Sequence, residues 1–295
     1  MNNKFKGIFP ALFTPFTNEN KINKEALKKL VRMNINKGVD GFYVGGSTSE
    51  AFLLSINERK EILEIVLEEC SNCGVTIIAH IGCISTNDAI ELAKHAQAAG
   101  ADAISSVPPF YYNFSFEEIK RYYFDLMDAV DLPLLIYNIP AFSGVTLNDN
   151  NIGEFFCDKR VLGVKHTSSD FYSLERFKQY RSDIIVYNGY DEMFLSGLAA
   201  GADGGIGSTY NFMAENFIEM KKLFDSNRID EARLIQHKTN NIIKALIKVG
   251  VLPGEKAILK MMGIPMGNCR KPFRKLTEEE EELLKETIAN NGINI

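Results

Sequence analysis

Strand-like and helix-like segments alternate along most of this 295-residue chain, with short connections between them. Short apolar runs predict the strands, and apolar residues at helical spacing predict the helices that separate them. Because each helix is followed directly by another strand, the pattern favours a parallel sheet whose strands are joined by helices. The strands are predicted at 7–13, 41–44, 75–80, 103–107, 132–137, 161–165, 184–187 and 204–206, and the helices between them at 24–37, 57–69, 86–99, 116–129, 147–157, 172–180 and 191–200.

A short motif recurs where a predicted helix meets the next strand. It reads Gly-Val-Asp-Gly at 38–41, Gly-Ala-Asp-Ala at 100–103 and Gly-Ala-Asp-Gly at 201–204. Its first glycine is the residue expected to end a helix in the left-handed conformation. The copies lie 62 and 101 positions apart, which corresponds to units of about 31 to 34 residues. Eight such units predict a TIM (β/α)8 barrel, and a doubly wound open sheet is the alternative.

Beyond residue 208 the strand signals stop and only helices are predicted, at 215–224, 229–248, 255–262 and 277–289. The last of these opens with Thr277 and Glu280 at the spacing of a capping box. We therefore predict two parts, a barrel over 1–225 and a C-terminal helical extension over 226–295. No segment rich in proline, glycine or serine separates them, so the extension is expected to pack on the barrel.

The charge balance argues against nucleic acid and anionic membranes as partners. The formal net charge is −5, and no long block of Lys or Arg occurs. No apolar stretch approaches the roughly 18 residues of a membrane span, so we expect a cytoplasmic protein. The five cysteines, an odd number, fit a reducing compartment better than a set of disulfides. Cys70 and Cys73 have the spacing of a metal motif, but no second pair or nearby histidine completes a ligand set, and no metal site is predicted.

One predicted strand, 161–165, carries a lysine at its far end. Lysine is almost never fully buried without a partner or a function. An amine in a partly desolvated pocket loses proton affinity, and the neutral amine can attack a carbonyl to give a Schiff base. The alternative is that Lys165 only marks the point where the strand meets solvent.

Polar residues and glycines follow several of the predicted strands. In a (β/α)8 barrel the carboxyl ends of the strands meet at one mouth, where the chemistry takes place. Each of these groups alone has a structural explanation, since glycines serve turns and acids cap helices. Their joint placement around a buried lysine predicts a functional site. The segments are Gly45-Gly-Ser-Thr48, Tyr137-Asn138, Lys165-His-Thr167, Gly189-Tyr-Asp-Glu192 and Gly205-Ile-Gly-Ser208.

These segments, in this order and spacing, resemble the family of class I pyruvate-dependent aldolases that contains N-acetylneuraminate lyases and dihydrodipicolinate synthases. The resemblance runs from about residue 4 to residue 271. It implies a (β/α)8 barrel with added helices, usually a homotetramer, that needs no cofactor. Within the family the lyase pattern is the better match, and it implies reversible cleavage of N-acetylneuraminate to N-acetylmannosamine and pyruvate.

The resemblance also assigns roles at the reacting end of the substrate. Lys165 would form the Schiff base, and Tyr137 would move the proton of the C4 hydroxyl. The hydroxyls of Ser47 and Thr48 would bind the carboxylate of the keto acid. In the family a tyrosine from the neighbouring subunit joins this corner, and the matching residue here is Tyr111.

At the other end, the resemblance assigns residues to the sugar tail. Asp191 and Glu192 would accept hydrogen bonds from the tail hydroxyls, because carboxylates offer only acceptors. The Gly189 carbonyl and Ser208 would assist them, and Thr167 would lie near C4 of the substrate.

Two positions depart from the patterns of the family. Ser49 stands where the lyase motif usually has a glycine, which matters if the residue needs a positive φ. Phe142 stands where the synthases carry an arginine for the carboxylate of a second substrate, which favours a neutral aldose as the acceptor. The alternatives are another aldolase of the family, such as 4-hydroxy-tetrahydrodipicolinate synthase or a 2-keto-3-deoxy sugar acid aldolase, and a barrel that binds a sugar acid without turnover.

Overall fold

Eight parallel strands form one sheet in the computed structural model, which describes residues 3–292. The order of the strands is β1-β8-β7-β6-β5-β4-β3-β2. The sheet closes between β1 and β2, where a parallel bridge joins Ala11 to Tyr43 and the Leu12 amide donates to the Tyr43 carbonyl at 3.0 Å. The predicted barrel is confirmed, and the open sheet is wrong. The strands are β1 Gly7–Pro10, β2 Gly41–Val44, β3 Thr76–His80, β4 Ala103–Ser106, β5 Leu134–Asn138, β6 Val161–His166, β7 Ile185–Asn188 and β8 Gly204–Gly207.

Helices surround the barrel and continue past it. The buried apolar faces of the helices pack on the outer face of the sheet, while Phe9, Ile78, Leu135, Ile185 and other side chains fill the barrel interior. The helices are α1 Lys24–Asn36, α2 Ile56–Glu69, α3 Thr86–Ala99, α4 Phe116–Ala129, α5 Pro140–Ser143, α6 Gly153–Phe156, α7 Phe171–Phe177, α8 Phe194–Ala199, α9 Tyr210–Asp225, α10 Ile229–Val249, α11 Val251–Met261 and α12 Glu278–Asn290.

The repeated Gly-x-Asp motif fastens the barrel units to one another. In all three copies the glycine lies in the left-handed region, with φ between +82° and +98°. The aspartate of each copy accepts a hydrogen bond of 2.8 to 2.9 Å from an amide near the start of the preceding strand. The pairs are Asp40 with Ile8, Asp102 with Ile77, and Asp203 with Val186. The motif is therefore a structural repeat of the barrel rather than part of the site.

Two predicted helices differ from the structure by five residues or more at one end. The segment 147–152 is not α-helical, because the Asn138 amide donates to the Leu147 carbonyl at 2.7 Å and holds this segment against the end of β5. Helix α9 begins five residues before the predicted start at 215. Its backbone kinks at Met213, with φ −131° and ψ 38°, which interrupts the apolar periodicity on which the prediction depended.

The C-terminal helices pack on the barrel through buried polar contacts. The Lys256 ammonium of α11 lies 2.5 Å from the Glu50 carboxylate, and both side chains are almost fully buried. The Arg270 amide donates to the same carboxylate at 2.7 Å. Thr277 and Glu280 form the predicted capping box of α12. The division into parts 1–225 and 226–295 stays a prediction. The outer ends of the two parts, residues 1–2 and 293–295, lie outside the described part of the chain. Within residues 3–292, every helix is too short or too polar to cross a bilayer.

Candidate active site

A cavity of about 930 Å³ opens at the carboxyl ends of the barrel strands. Most of the residues predicted for the site line it. Its rim is apolar and includes the exposed side chains of Phe52, Phe142 and Phe273. The predicted residues that line the cavity are Ser47, Thr48, Tyr137, Lys165, Thr167, Gly189, Asp191, Glu192 and Ser208.

Lys165 is buried at the floor of this cavity, with 5% of the residue exposed. Its Nζ atom lies 4.0 Å from the centre of the Tyr137 ring and 4.8 Å from the centre of the Tyr43 ring. Within residues 3–292, no carboxylate forms an ion pair with this amine. The alternative of a lysine that only marks the solvent boundary is therefore not supported. A buried amine between aromatic faces and beside open space is placed to attack a carbonyl.

The turn after β2 brings Ser47 and Thr48 to the wall of the cavity. It begins at Gly45, whose φ of +76° lets the chain bend sharply, and continues as a 3-10 helix over Ser47–Ser49. Ser49 adopts a helical conformation and needs no positive φ; the residue in the left-handed region is Glu50, with φ +60°. Instead, the Ser49 hydroxyl accepts from the Gly45 amide at 3.2 Å and donates to the Leu12 carbonyl at 2.5 Å.

Thr167, just beyond β6, has a buried hydroxyl oxygen with no hydrogen-bond partner among residues 3–292. This oxygen would lie 1.9 Å from a Cβ atom at position 189, so only glycine fits there. A buried hydroxyl needs a partner, and a substrate oxygen in the cavity would supply it. The close approach explains why Gly189 belongs to the site without contributing a side chain.

Asp191 is buried at the side of the cavity formed by β7 and β8. Its Oδ2 atom accepts from the amide and the hydroxyl of Thr209, at 2.9 and 2.6 Å. Its Oδ1 atom has no hydrogen-bond partner in the described part of the chain. Burial raises the pKa of Asp191 to about 6, against the opposing effect of the two hydrogen bonds. One carboxylate oxygen is thus fixed by the protein and the other is free to accept from a ligand hydroxyl.

The C-terminal extension completes this side of the site. The Ser208 hydroxyl donates to Oε1 of Glu255, on α11, at 2.9 Å. Glu255 is fully buried, and burial raises its pKa well above the usual range of a carboxyl group. From α10, the Gln236 amide donates to the Asp191 carbonyl at 3.1 Å, and the Asn240 amide donates to the Glu192 carbonyl at 3.1 Å. The residues predicted to bind the sugar tail are therefore held from the extension as well as from the barrel.

Tyr111 is the one predicted site residue that does not line the cavity of its own chain. It lies in the loop after β4, in the left-handed conformation with φ +78°, and 83% of the residue is exposed. Its predicted contact with Ser47 and Thr48 of a neighbouring subunit stays a prediction.

Several polar or aromatic residues near the site were not predicted, and three of them contact predicted site residues. Tyr43 contacts Lys165, Glu255 contacts Ser208, and His80 lies behind Tyr137 with ring centres 6.1 Å apart. His80 is the last residue of β3, so the rule that polar residues at the ends of strands form the site would have found it. Glu255 has no comparable signal, because it belongs to a helix of the extension.

A buried lysine at the mouth of a (β/α)8 barrel, beside hydroxyl and carboxylate groups, defines a Schiff-base aldolase class of site. The chain belongs to the dihydrodipicolinate synthetase family, whose model matches residues 4–291. It is 47% identical to the N-acetylneuraminate lyase of Rhizobium meliloti over 287 residues, which cover 97% of this chain and 95% of the relative.

Solved structures give the same result. A structure of CdNal from Clostridium difficile in complex with mannosamine superimposes with a TM-score of 0.94 at 40% identity, covering 97% of this chain and 99% of that one. The N-acetylneuraminate lyase of Fusobacterium nucleatum complexed with pyruvate gives a TM-score of 0.93 at 38% identity, with 98% of each chain covered. The resemblance seen in the motifs therefore extends over the whole fold.

Proposed function

We propose that this protein is a class I aldolase that reversibly cleaves N-acetylneuraminate to N-acetylmannosamine and pyruvate. The observation that carries the proposal is the position of the Lys165 amine, buried 4.0 Å from the Tyr137 ring centre at the floor of the cavity. The names of the relatives and the mannosamine and pyruvate complexes of two structural neighbours support the same substrates.

The first step is attack of the neutral Lys165 amine on the C2 carbonyl of the open-chain keto acid. The carbinolamine that forms loses water to give an iminium ion, and the positive nitrogen becomes the electron sink of the reaction. The burial of Lys165 supports this role, because its amine is held between the Tyr43 and Tyr137 rings at the edge of the cavity, where a bound keto acid would lie.

Cleavage then breaks the bond between C3 and C4. The electron pair moves to the iminium nitrogen and leaves an enamine of pyruvate, while the C4 hydroxyl loses its proton and becomes the aldehyde of N-acetylmannosamine. The Tyr137 hydroxyl would carry this proton, directly or through the substrate carboxylate. Protonation of the enamine at C3 and hydrolysis of the imine release pyruvate and restore Lys165.

The two ends of the substrate would be recognised by different groups. Ser47 and Thr48 would donate hydroxyl protons to the carboxylate, and the free oxygen of Asp191 would accept from a hydroxyl of the tail. Because the extension fixes the backbone around Asp191 and Glu192, it would help set the specificity for a polyol.

The rim of the cavity supports a neutral aldose over a second substrate with a carboxylate. Phe142 presents an exposed apolar ring at the position where a synthase would carry an arginine. Arg274 also lines the rim, but its guanidinium is paired with Glu280 at 2.7 Å. This arrangement disfavours aspartate semialdehyde as the acceptor.

The cellular setting completes the proposal. A homotetramer would bring Tyr111 of one subunit to the carboxylate corner of the next, and its exposure in the single chain supports such a contact. We place the enzyme in the cytoplasm, where the breakdown of sialic acids would feed carbohydrate metabolism.

Pyruvate release from N-acetylneuraminate by the purified protein tests the proposal. A parallel assay with pyruvate and aspartate semialdehyde serves as the control for the synthase reaction. Release from N-acetylneuraminate alone is the expected result. Turnover only in the control would overturn the proposal in favour of a synthase. If neither reaction proceeds and borohydride does not trap pyruvate on the protein, the result would overturn the proposal in favour of a barrel that binds a sugar acid without turnover.

A further inference from the structure

The turn after β2 that carries Ser47 and Thr48 is called the carboxylate-binding turn. Hydrogen bonds hold it at both the amide and the carbonyl of Gly45. Its amide donates to the Ser49 hydroxyl at 3.2 Å, and its carbonyl accepts from Nδ1 of His80 at 2.9 Å. His80 is 4% exposed and comes from a different strand, 35 residues further along the chain. Since Ser47 and Thr48 follow after Gly46, the position of Gly45 helps to set where their hydroxyls lie.

The hydrogen bonds of His80 define which ring nitrogen carries the proton. The Val107 amide donates to Nε2 at 3.4 Å, so Nε2 acts as an acceptor. The Gly45 carbonyl has only lone pairs to offer at 2.9 Å, so Nδ1 carries the hydrogen. The longer 3.5 Å approach of the Arg59 guanidinium to Nδ1 is then not a hydrogen bond. Burial lowers the pKa of His80 well below its usual range, which is consistent with a neutral ring in this one tautomer.

The backbone that carries His80 is itself fixed by a buried cation. Arg59 of α2, 5% exposed, donates to the His80 carbonyl at 2.9 Å and to the Gly82 carbonyl at 3.1 Å. The His80 ring also lies edge-on to Tyr137, with an interplanar angle of 83°. Arg59 and His80 thus connect the end of β3 to both the carboxylate-binding turn and Tyr137.

We propose that His80 is a positioning residue for the substrate carboxylate, which acts by holding the Gly45 carbonyl so that Ser47 and Thr48 face the keto acid. It does not touch the substrate. The inference rests on the proposed function for the assignment of a keto-acid substrate. Its consequence is a selective one: loss of the His80 bond weakens the keto-acid end of the site and leaves the sugar end unchanged.

Two substitutions separate this role from simple packing. His80→Leu fills similar space but has no donor, whereas His80→Asn places an amide donor near the position of Nδ1. The readouts are the pyruvate concentration for half-maximal borohydride trapping on Lys165, and the separate KM values for pyruvate and N-acetylmannosamine in the synthetic direction. Thermal unfolding of each variant provides the check on folding.

For His80→Leu we expect the pyruvate KM and the trapping concentration to rise roughly tenfold, as for one lost hydrogen bond in the site. The KM for N-acetylmannosamine should change by less than about twofold, because the substitution leaves the contacts at the sugar end of the site in place. His80→Asn should return the pyruvate KM to within about threefold of the wild-type value.

Two results would overturn the role of His80. One is an unchanged pyruvate KM in His80→Leu. The other is an equal rise in both KM values that His80→Asn fails to reverse, which would make His80 a packing residue. Trapping of pyruvate does not depend on which aldehyde the enzyme uses. A wild-type protein that traps pyruvate but leaves N-acetylneuraminate intact would therefore refute the sugar assignment and still allow the His80 test.

Discussion

Tyr137 and Lys165 are register partners on the adjacent parallel strands β5 and β6. In a parallel pair, partners in register project to the same side of the sheet, which here is the interior of the barrel. The Tyr137 ring and the Lys165 amine are therefore placed on the same side of the sheet by the backbone register of β5 and β6. A shift of one residue in either strand would turn one of the two groups out of the cavity.

Replacement of the lysine tests the covalent step. Lys165→Met keeps an unbranched chain of similar length, so the fold should persist while turnover falls to background and borohydride no longer fixes pyruvate to the protein. Lys244→Met, at an exposed position of α10, is the matched control and should behave like the wild type. Mass spectrometry of the trapped protein locates the adduct. An adduct of undiminished amount in Lys165→Met would assign the nucleophile to another lysine.

Loss of the tyrosine hydroxyl should affect cleavage and imine formation differently. Tyr137→Phe retains the ring beside Lys165, so trapping of pyruvate should stay within about threefold of the wild-type level. The kcat for cleavage should fall by roughly 10²- to 10⁴-fold, the usual contribution of a positioned proton carrier. Steady-state cleavage and single-turnover trapping measure the two steps. Equal losses in both would contradict a proton-transfer role.

The free oxygen of Asp191 predicts a pH dependence of tail binding. With a pKa raised to about 6, Asp191 gains a proton as the pH falls through that value and loses an acceptor for the sugar hydroxyl. The KM for N-acetylneuraminate should therefore rise about tenfold from pH 7 to pH 5, while the KM for pyruvate stays nearly flat.

The matched variant is Asp191→Asn, which cannot ionise. Its KM for N-acetylneuraminate should be high throughout this range and independent of pH, with little change in the affinity for pyruvate. A pH profile in Asp191→Asn that parallels the wild-type profile would show that another group titrates.

The buried ion pair between Glu50 and Lys256 predicts a large effect on stability. Lys256→Ala leaves the Glu50 carboxylate buried without its cation, and the free energy of unfolding should drop by about 3 to 5 kcal/mol. Lys260→Ala, on the exposed side of the same helix, should cost less than about 1 kcal/mol. Urea unfolding of both variants makes the comparison. Similar small losses would mean that the pair adds nothing to the attachment of the extension.

Ser49 offers a test of why a serine stands in place of the glycine of the lyase motif. Ser49→Gly removes a hydroxyl that bridges the Gly45 amide and the Leu12 carbonyl, and should lower the free energy of unfolding by about 1 to 3 kcal/mol. Ser49→Ala should lose a similar amount if the hydroxyl is the cause. A stability gain in Ser49→Gly, measured by thermal unfolding, would contradict the bridge.

The eight strands were predictable because each is a local signal, a short and mostly apolar run of residues. The first part of the helix predicted over 147–157 is wrong for the opposite reason, while its residues 153–156 are helical. Its residues are compatible with a helix, but Asn138 binds the backbone of Leu147 and takes this segment out of helical geometry. A side chain that replaces backbone hydrogen bonds leaves no trace in the periodicity of the segment it binds.

The site shows the same division between local and distant information. Lys165, Tyr137 and Asp191 could be predicted because they stand at the ends of strands. Glu255 could not, since its partner Ser208 is 47 residues away and belongs to a different part of the chain. The interaction of Glu50 with Lys256 spans 206 residues, and only the folded structure brings the two together.

The position of α11 has a consequence for how the chain can be divided. This helix supplies Lys256 to the turn after β2 and Glu255 to Ser208 at the end of β8, so two parts of the mouth on either side of β1 depend on one helix that follows the last strand. A protein shortened to its eight strand-helix units would keep Lys165 and Tyr137. Glu50 would then lack its counter-ion, and the Ser208 hydroxyl would lack its acceptor. Loop grafting and domain exchange in this chain must therefore treat the last helices as part of the catalytic unit.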